Sequence, residues 1–253
     1  LVEEGCLVID ASANNYLPEF THQQVTLLHL LTHTSGLPAW RPVYLESKSR
    51  AEVVRYLGEM PLEYPTGQKV VYSCLGYILL GMLIAAVTGE SLDRLAQEWI
   101  FSPIEMLKTG YCPPSKWMAT CAATEESNSF EKGMGTHARY NWREEVIVGE
   151  VHDENAHFLG GVSGNAGLFS TAEDLAKFCQ MLVDGGDSVL APESIGQMSI
   201  VETVGLNAAR GIGWNILGDG SLYHTGFTGT SIRLNLGRRL FTVLLTNRVH
   251  PTR

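Results

Sequence analysis

Cationic residues are scarce in this 253-residue sequence: 18 Lys and Arg stand against 27 Asp and Glu, a formal net charge of -9. No Lys/Arg cluster compensates locally, so there is no basic face for a phosphate backbone. Nucleic acid is excluded as an expected partner, and a small molecule takes its place. Cysteine is sparse and unpaired in pattern. Cys6, Cys74, Cys112, Cys121 and Cys179 are odd in number, scattered and without C-x-x-C spacing, which indicates neither a disulfide framework nor a zinc site. Long apolar runs are missing too. The longest, Tyr77 to Val87, has 11 residues and contains Gly81, short of the roughly 20 that span a bilayer. It predicts a buried helix, and no transmembrane segment is expected.

Several signatures are also absent. Gly161-Val-Ser163-Gly-Asn165 ends in Asn, so it is not the G-x-S-x-G elbow of an α/β-hydrolase. The glycine-rich run Gly160 to Gly167 lacks G-x-G-x-x-G and follows no clear strand, which argues against a dinucleotide site. His152, Asp153, Glu154 and His157 invite a metal reading, but the spacing is not H-E-x-x-H, and an i, i+5 histidine pair does not share a helical face. They are expected to be loop residues or a structural turn bordering a pocket. No metal and no organic cofactor is expected.

What is present is ordinary globular material, 45% hydrophobic and 18% charged. Leu1 to Gly5 has the look of a last helical turn closed by a glycine. Thr26 caps a short helix over 27–31, followed by the polar turn His33-Thr-Ser-Gly36, expected to be rigid and exposed. A loop over 62–68 leads to Tyr72 and a helix from Cys74 to Thr88, stopped at Gly89. Ser91 precedes a helix whose Leu92, Leu95, Ala96, Trp99 and Ile100 share one apolar face, expected to pack in the core. Residues 111–150 show no stable period and are expected to form loops and short turns. Thr171 with Asp174 fits a capping box for a helix bearing Leu175, Phe178, Cys179 and Leu182, which ends at Gly185-Gly186. Beyond Gly211, short β-prone runs alternate with turns, and residues 233–246 form a hairpin. Helices followed by antiparallel strands make an α+β pattern. The expectation is a single domain over 1–253, with a helical lobe over about 20–195 and the sheet over about 205–250.

Three stretches carry the chemistry: Leu30-Leu-Thr-His-Thr-Ser-Gly-Leu37, Tyr72-Ser-Cys-Leu-Gly-Tyr-Ile-Leu-Leu-Gly81 and His224-Thr-Gly226. Together, in this order, they resemble the class C β-lactamases and their relatives among penicillin-binding proteins, D-aminopeptidases and carboxylesterases. Val151-His-Asp-Glu-Asn-Ala156 and the glycine-rich run after it resemble the same hydrolases. The resemblance implies an antiparallel sheet flanked by helices beside a helical lobe, with the pocket between them, in the β-lactamase/transpeptidase manner.

The resemblance also implies a serine nucleophile in an S-x-x-K motif at a helix start, a tyrosine and a K-T-G or H-x-G strand. Ser129-Phe-Glu-Lys132 is the single formal S-x-x-K, and it comes after the tyrosine motif, where the family order forbids it. The nucleophile helix is therefore expected just upstream of Leu1, and the domain to be incomplete at its N-terminus. Tyr72 matches the family tyrosine that takes the serine proton and returns one to the leaving group. A phenol ionises near 10, so it needs nearby cations to serve as a base near neutrality. Cys74 stands where relatives carry Asn, and a thiol is a weak substitute for an amide; an inert, buried thiol is expected. His224, Thr225 and Gly226 match the pocket-lining strand, His224 being expected as a catalytic residue that supports Tyr72 while an upstream Lys shares the proton shuttle, and the backbone N–H of Phe227 matches the second oxyanion donor. With His in place of Lys at 224 and Cys at 74, esters or neutral acyl compounds are favoured over β-lactams. The implied protein is a serine hydrolase acting through an acyl-enzyme, this chain alone being inactive. A non-catalytic binding or regulatory module, or a cell-wall D,D-peptidase, would carry the same residues.

Overall fold

The helix from Cys74 to Thr88 organises the chain. It is apolar on nearly every side, and such a helix is stable in water only when surrounded; Leu75, Ile78, Leu79 and Leu83 are fully buried. The computed structural model describes residues 1–134 and 140–253; residues 135–139, part of the expected irregular stretch, lie outside the described residues. In chain order the helices are α1 (Leu27–Leu31), α2 (Val43–Glu46), α3 (Arg50–Glu59), α4 (Cys74–Thr88), α5 (Leu92–Ala96), α6 (Ser129–Gly133), α7 (Glu154–Phe158), α8 (Ala172–Val183) and α9 (Pro192–Met198). The strands are β1 (Gly110–Tyr111), β2 (Leu168–Phe169), β3 (Asn215–Ile216), β4 (Leu222–Gly226), β5 (Thr230–Asn235) and β6 (Leu240–Leu245).

The second core lies under the sheet. Strands β3, β4, β5 and β6 pair antiparallel in sequence order, and α8 lays Cys179 and Leu182 against Leu222, Leu234 and Trp214. The hairpin expected over 233–246 is β5 and β6, in register Asn235↔Leu240 through Thr230↔Leu245. The mixed helix and antiparallel sheet architecture is the α+β class expected. Among the described residues, no single helix is long and apolar enough to cross a membrane.

Local signals were met at most boundaries. At the N-terminus, Gly5 N donates to Val2 O and Cys6 N to Leu1 O, both at 2.9 Å, with Gly5 at φ +70°, the paired bonds of a glycine-closed helical turn. Thr26 accepts from His29 N, and His29 Nδ1 accepts from Thr26 N. Thr171 caps α8 by accepting from Asp174 N, but the Asp174 carboxylate turns instead to Lys108 N and the Thr109 hydroxyl.

Two expectations fail. The turn over 33–36 is buried, not exposed: His33 is 1% accessible, and Thr32, Thr34 and Ser35 are equally enclosed. The loop expected over 62–68 and the residues just after it fold across the turn and satisfy its backbone carbonyls, with Glu63 N on Gly36 O, Gly67 N on Thr34 O and Val71 N on His33 O. The apolar face of the helix after Ser91 also does not enter the core. A π-helical turn, Gln97–Phe101, follows α5, with Ser102 N reaching back five residues to Gln97 O. The wider turn rotates the face, so Phe101 is buried while Trp99 stays 43% exposed.

The glycine-rich run serves packing. A Cβ on Gly81 of α4 would stand 2.8 Å from Gly164 N, and a Cβ on Gly164 would collide with Tyr77 O. The two backbones touch because neither residue has a side chain. Gly164→Ala should therefore destabilise the protein by about 2–3 kcal/mol, lowering Tm by roughly 5–10 °C. A thermal melt within about 2 °C of the parent would mean that α4 and the loop separate freely.

Candidate active site

Position 72 is fixed by its neighbour in the chain. Ser73 is the N-cap of α4: its Oγ accepts from Gly76 N at 3.3 Å and donates to Pro38 O at 2.6 Å. Its backbone N–H donates to His33 Nδ1 at 3.1 Å. Nδ1 is therefore unprotonated, and the neutral ring carries its proton on Nε2, which is buried with no hydrogen-bond partner among the described residues. The His33 ring stacks on Tyr77 (centroids 4.9 Å, 26°) and tilts against Tyr72 (4.5 Å, 43°). Tyr77 is anchored by its hydroxyl on Leu31 O at 3.1 Å.

Strand β4 brings His224 to the same place, 6.3 Å from Tyr72 between ring centroids. Gly226 pairs with Thr230 at the end of the β4–β5 ladder, and Phe227 opens the turn beyond it. A Cβ on Gly226 would collide with the Thr230 hydroxyl, so glycine is demanded here by a neighbouring side chain as well as by any approaching substrate. Thr225 is exposed. The half-exposed Phe227 ring stacks on His152 (5.6 Å) and meets Phe130 (5.3 Å) and the Arg253 guanidinium (4.6 Å).

The electrostatics are set by burial. Tyr72 keeps 44% of its surface accessible, yet its phenol is pushed well above the ordinary value, first by desolvation, then by Cys74 and Tyr77; Arg210 alone pulls it down. His33 is lowered to about 3 by burial, then by Arg210 and His224. His224 is lowered by burial, then by Arg210. Both imidazoles are neutral at pH 7. Burial and the nearby Asp153 push the Cys74 thiol up to about 12, so it is a thiol and not a nucleophile. Cys74 is half-buried and lies between Tyr72 and Asn165.

The structure thus gathers Tyr72, Cys74 and His224, with Thr225, Gly226 and Phe227 along one rim. Sequence reasoning missed His33, Tyr77, Asn165 and Arg210. His33 and Tyr77 lie inside the motifs already singled out, and their burial was the unread part. Arg210 gave no signal.

The acidic motif over 151–156 proves to be a staple. His152 Nε2 meets Glu125 Oε2 at 2.9 Å. Glu154 receives Arg143 Nη2 at 2.8 Å, Tyr140 Oη at 3.1 Å and Asn128 Nδ2 at 3.0 Å. Asn155 accepts from Val43 N and donates to Arg41 O, fastening α2. Asp153 caps α7 through Ala156 N. His157 turns away, toward Glu150 at 3.8 Å. Beside this network Glu131 is raised to about 8 by burial, Asp153 and Glu154, and accepts from Tyr44 Oη. In the formal S-x-x-K, Ser129 bonds Glu125 while Lys132 pairs with Glu144 at 3.1 Å, so serine and lysine diverge.

A family model described as Beta-lactamase matches residues 1–253, and the chain belongs to that family, whose fold carries serine hydrolases. It is 31% identical over 284 residues to an N-acetylmuramyl-L-alanine amidase of Bacillus subtilis, covering 99% of this chain and 64% of that protein. It is 31% identical over 292 residues to an Escherichia coli K12 protein provisionally named a D-alanyl-D-alanine carboxypeptidase, covering 99% of this chain and 65% of the relative. The chain thus spans slightly under two thirds of these curated relatives. Among solved structures, EstCE1, a hydrolase with promiscuous acyltransferase activity, superposes with TM-score 0.71 at 22% identity, covering 97% of this chain and 74% of that one. A penicillin-binding protein homologue from Caulobacter crescentus gives 0.73 at 18%, covering 98% and 72%. At these identities the structural likeness concerns the fold.

Enclosure of His33 has a measurable consequence. The folded state keeps this imidazole neutral down to about pH 3, whereas the unfolded chain protonates it near 6.5. Between those values the unfolded state binds more protons, so stability is full above about 6.5 and declines as the pH falls. The slope from this residue is at most about 1.4 kcal/mol per pH unit. His33→Asn, which tolerates the φ of +59°, should be less stable at pH 7 but show a flatter decline between pH 6.5 and 4 in urea unfolding. Parallel slopes would show that His33 titrates normally.

Proposed function

We propose that this chain is the pocket-bearing part of a serine hydrolase that works through an acyl-enzyme, with Tyr72 as its proton shuttle. The carrying observation is the convergence of Tyr72, just ahead of α4, with His224 and Gly226 on β4, two elements far apart in sequence. The nucleophilic serine and its lysine come from a segment outside these 253 residues, because no serine here has both the position and the lysine. In the acylation step the serine oxygen bonds to the substrate carbonyl carbon while its proton passes to Tyr72 Oη, the phenol having first given its own proton to the neutral amine of the upstream lysine. Collapse of the tetrahedral intermediate breaks the bond to the leaving group, which takes a proton from Tyr72; water then repeats the sequence and releases the acid. The N–H of Phe227 and a second backbone donor hold the oxyanion.

The substrates are esters or small neutral acyl and amide compounds. A neutral His224 offers a carboxylate no ionic partner, and Cys74 offers no amide. The names of the B. subtilis and E. coli relatives favour a second reading, hydrolysis of cell-wall amides. In the complete protein, Tyr72→Phe should lower kcat/KM for a short-chain nitrophenyl ester by about 10²–10⁴. The parent should turn over that ester faster than benzylpenicillin. Faster penicillin turnover would reverse the substrate assignment, and an undiminished Tyr72→Phe enzyme would remove Tyr72 from the chemistry.

A further inference from the structure

Among the described residues, Arg210 is the one permanently charged group acting on Tyr72, and nothing around it neutralises it. It immediately precedes the Gly211-Ile-Gly-Trp214 turn, its backbone N–H held by Thr203 Oγ1 at 2.8 Å and its strand bridged to Asn215. The side chain is only 6% exposed. Its Nε and Nη1 are buried and without partners among the described residues. The groups acting on its charge are two phenols, Tyr77 and Tyr72, and no carboxylate. Its Cζ lies 5.9 Å from the Tyr72 ring centroid. A buried cation without an anion is unfavourable unless a negative charge appears close by at some point in the protein's cycle.

Among the described residues, Tyr72 is the candidate for that charge. Tyr72 is faced by His33 from the turn after α1, by Cys74 and Tyr77 from α4, by His224 from β4 and by Arg210 from the segment before β3. Of these five only Arg210 carries charge at neutral pH. Nε and Nη1 are closed to solvent, so of the guanidinium nitrogens only Nη2 is open to a substrate carboxylate, and the face toward Tyr72 is the enclosed one. We propose that Arg210 is the internal counter-ion of the Tyr72 phenolate, a positioning residue whose buried guanidinium stabilises the negative charge Tyr72 bears as proton acceptor. This rests on the role given to Tyr72 above. A partly desolvated phenol gives up its proton unwillingly, and a fixed buried cation about 6 Å away opposes that effect by more than it would in water. The same cation disfavours protonation of His33 and His224, so among the described residues around Tyr72 it is the single positive charge.

The sign of a titration separates this role from a structural one. A ring-fluorinated tyrosine, whose phenol ionises at lower pH, is placed at position 72 of the full-length protein and followed by fluorine NMR. Arg210→Gln should raise its midpoint by about one pH unit, and Arg210→Lys should return most of that shift. A residue that only supports packing would act the other way, since loosening the site admits water and lowers the midpoint. An unchanged or lowered midpoint in Arg210→Gln overturns the assignment. Should the Gln variant not fold, the Lys variant decides: a midpoint within about 0.3 units of the parent, well under the shift expected for lost charge, supports it, and a rise of a full unit overturns it. Because the readout is not activity, its failure is distinct from failure of Tyr72→Phe to impair turnover.

Discussion

The bond from Ser73 N–H to His33 Nδ1 holds the site together, because it joins the start of α4 to a turn forty residues earlier in the chain. It leaves α4 one way to begin. Ser73 must present its N–H to the imidazole and its hydroxyl to both Pro38 O and Gly76 N, and Tyr72, one residue back, is placed against the His33 and His224 rings. The bond exists only while Nδ1 is unprotonated. Burial under the 62–71 segment provides that condition, and the nearby Arg210 charge reinforces it. The enclosure that makes His33 costly to protonate thus also aims the tyrosine.

Around this centre the charges are sorted. On one side lie Arg210 and two neutral imidazoles; on the other, Glu131, Asp153 and Glu154 are packed together and neutralised in different ways. Glu154 takes Arg143, Tyr140 and Asn128, and Glu131 is held toward its protonated form while accepting from Tyr44. Cys74 sits at the boundary. Burial first, and then the nearby Asp153, keep its thiol protonated, which removes it as a competing nucleophile beside Tyr72. Long-range side-chain bonds such as Asn155 to Val43 N fasten this acidic region to the helical lobe, so the rim under Phe227 has fixed neighbours although few regular elements build it.

Most of this could be read from the sequence wherever the signal was local. The extent of α4, its stop at Gly89 and the β5–β6 hairpin were legible because each is decided within a few residues. Tyr72, His224 and Gly226 were legible through motifs, although spacing could not show that their rings converge. His33 was misjudged because Thr-His-Thr-Ser has the composition of a surface turn; its cover comes from residues 62–71, and composition does not report what folds over a segment. The face of α5 was misjudged because counting at 3.6 residues per turn cannot foresee the π-helical turn that carries Phe101 inward. Arg210 was invisible for a different reason: its meaning lies in the partner it lacks, and only coordinates show an absent partner.

That lone cation also bears on the residue at 224. A lysine there would add a second full charge to a space where Arg210 already lacks an anion, and like charges in a poorly solvated site disfavour each other strongly. Histidine avoids the conflict, because it can exist neutral and is held so by burial and by Arg210 itself. His224 on the strand and the buried arginine are therefore one arrangement: the charge nearest Tyr72 lies behind the tyrosine and not on β4. If Tyr72 is the proton acceptor proposed above, the charge there acts on it, and a strand with a neutral histidine favours acyl groups without a negative charge of their own.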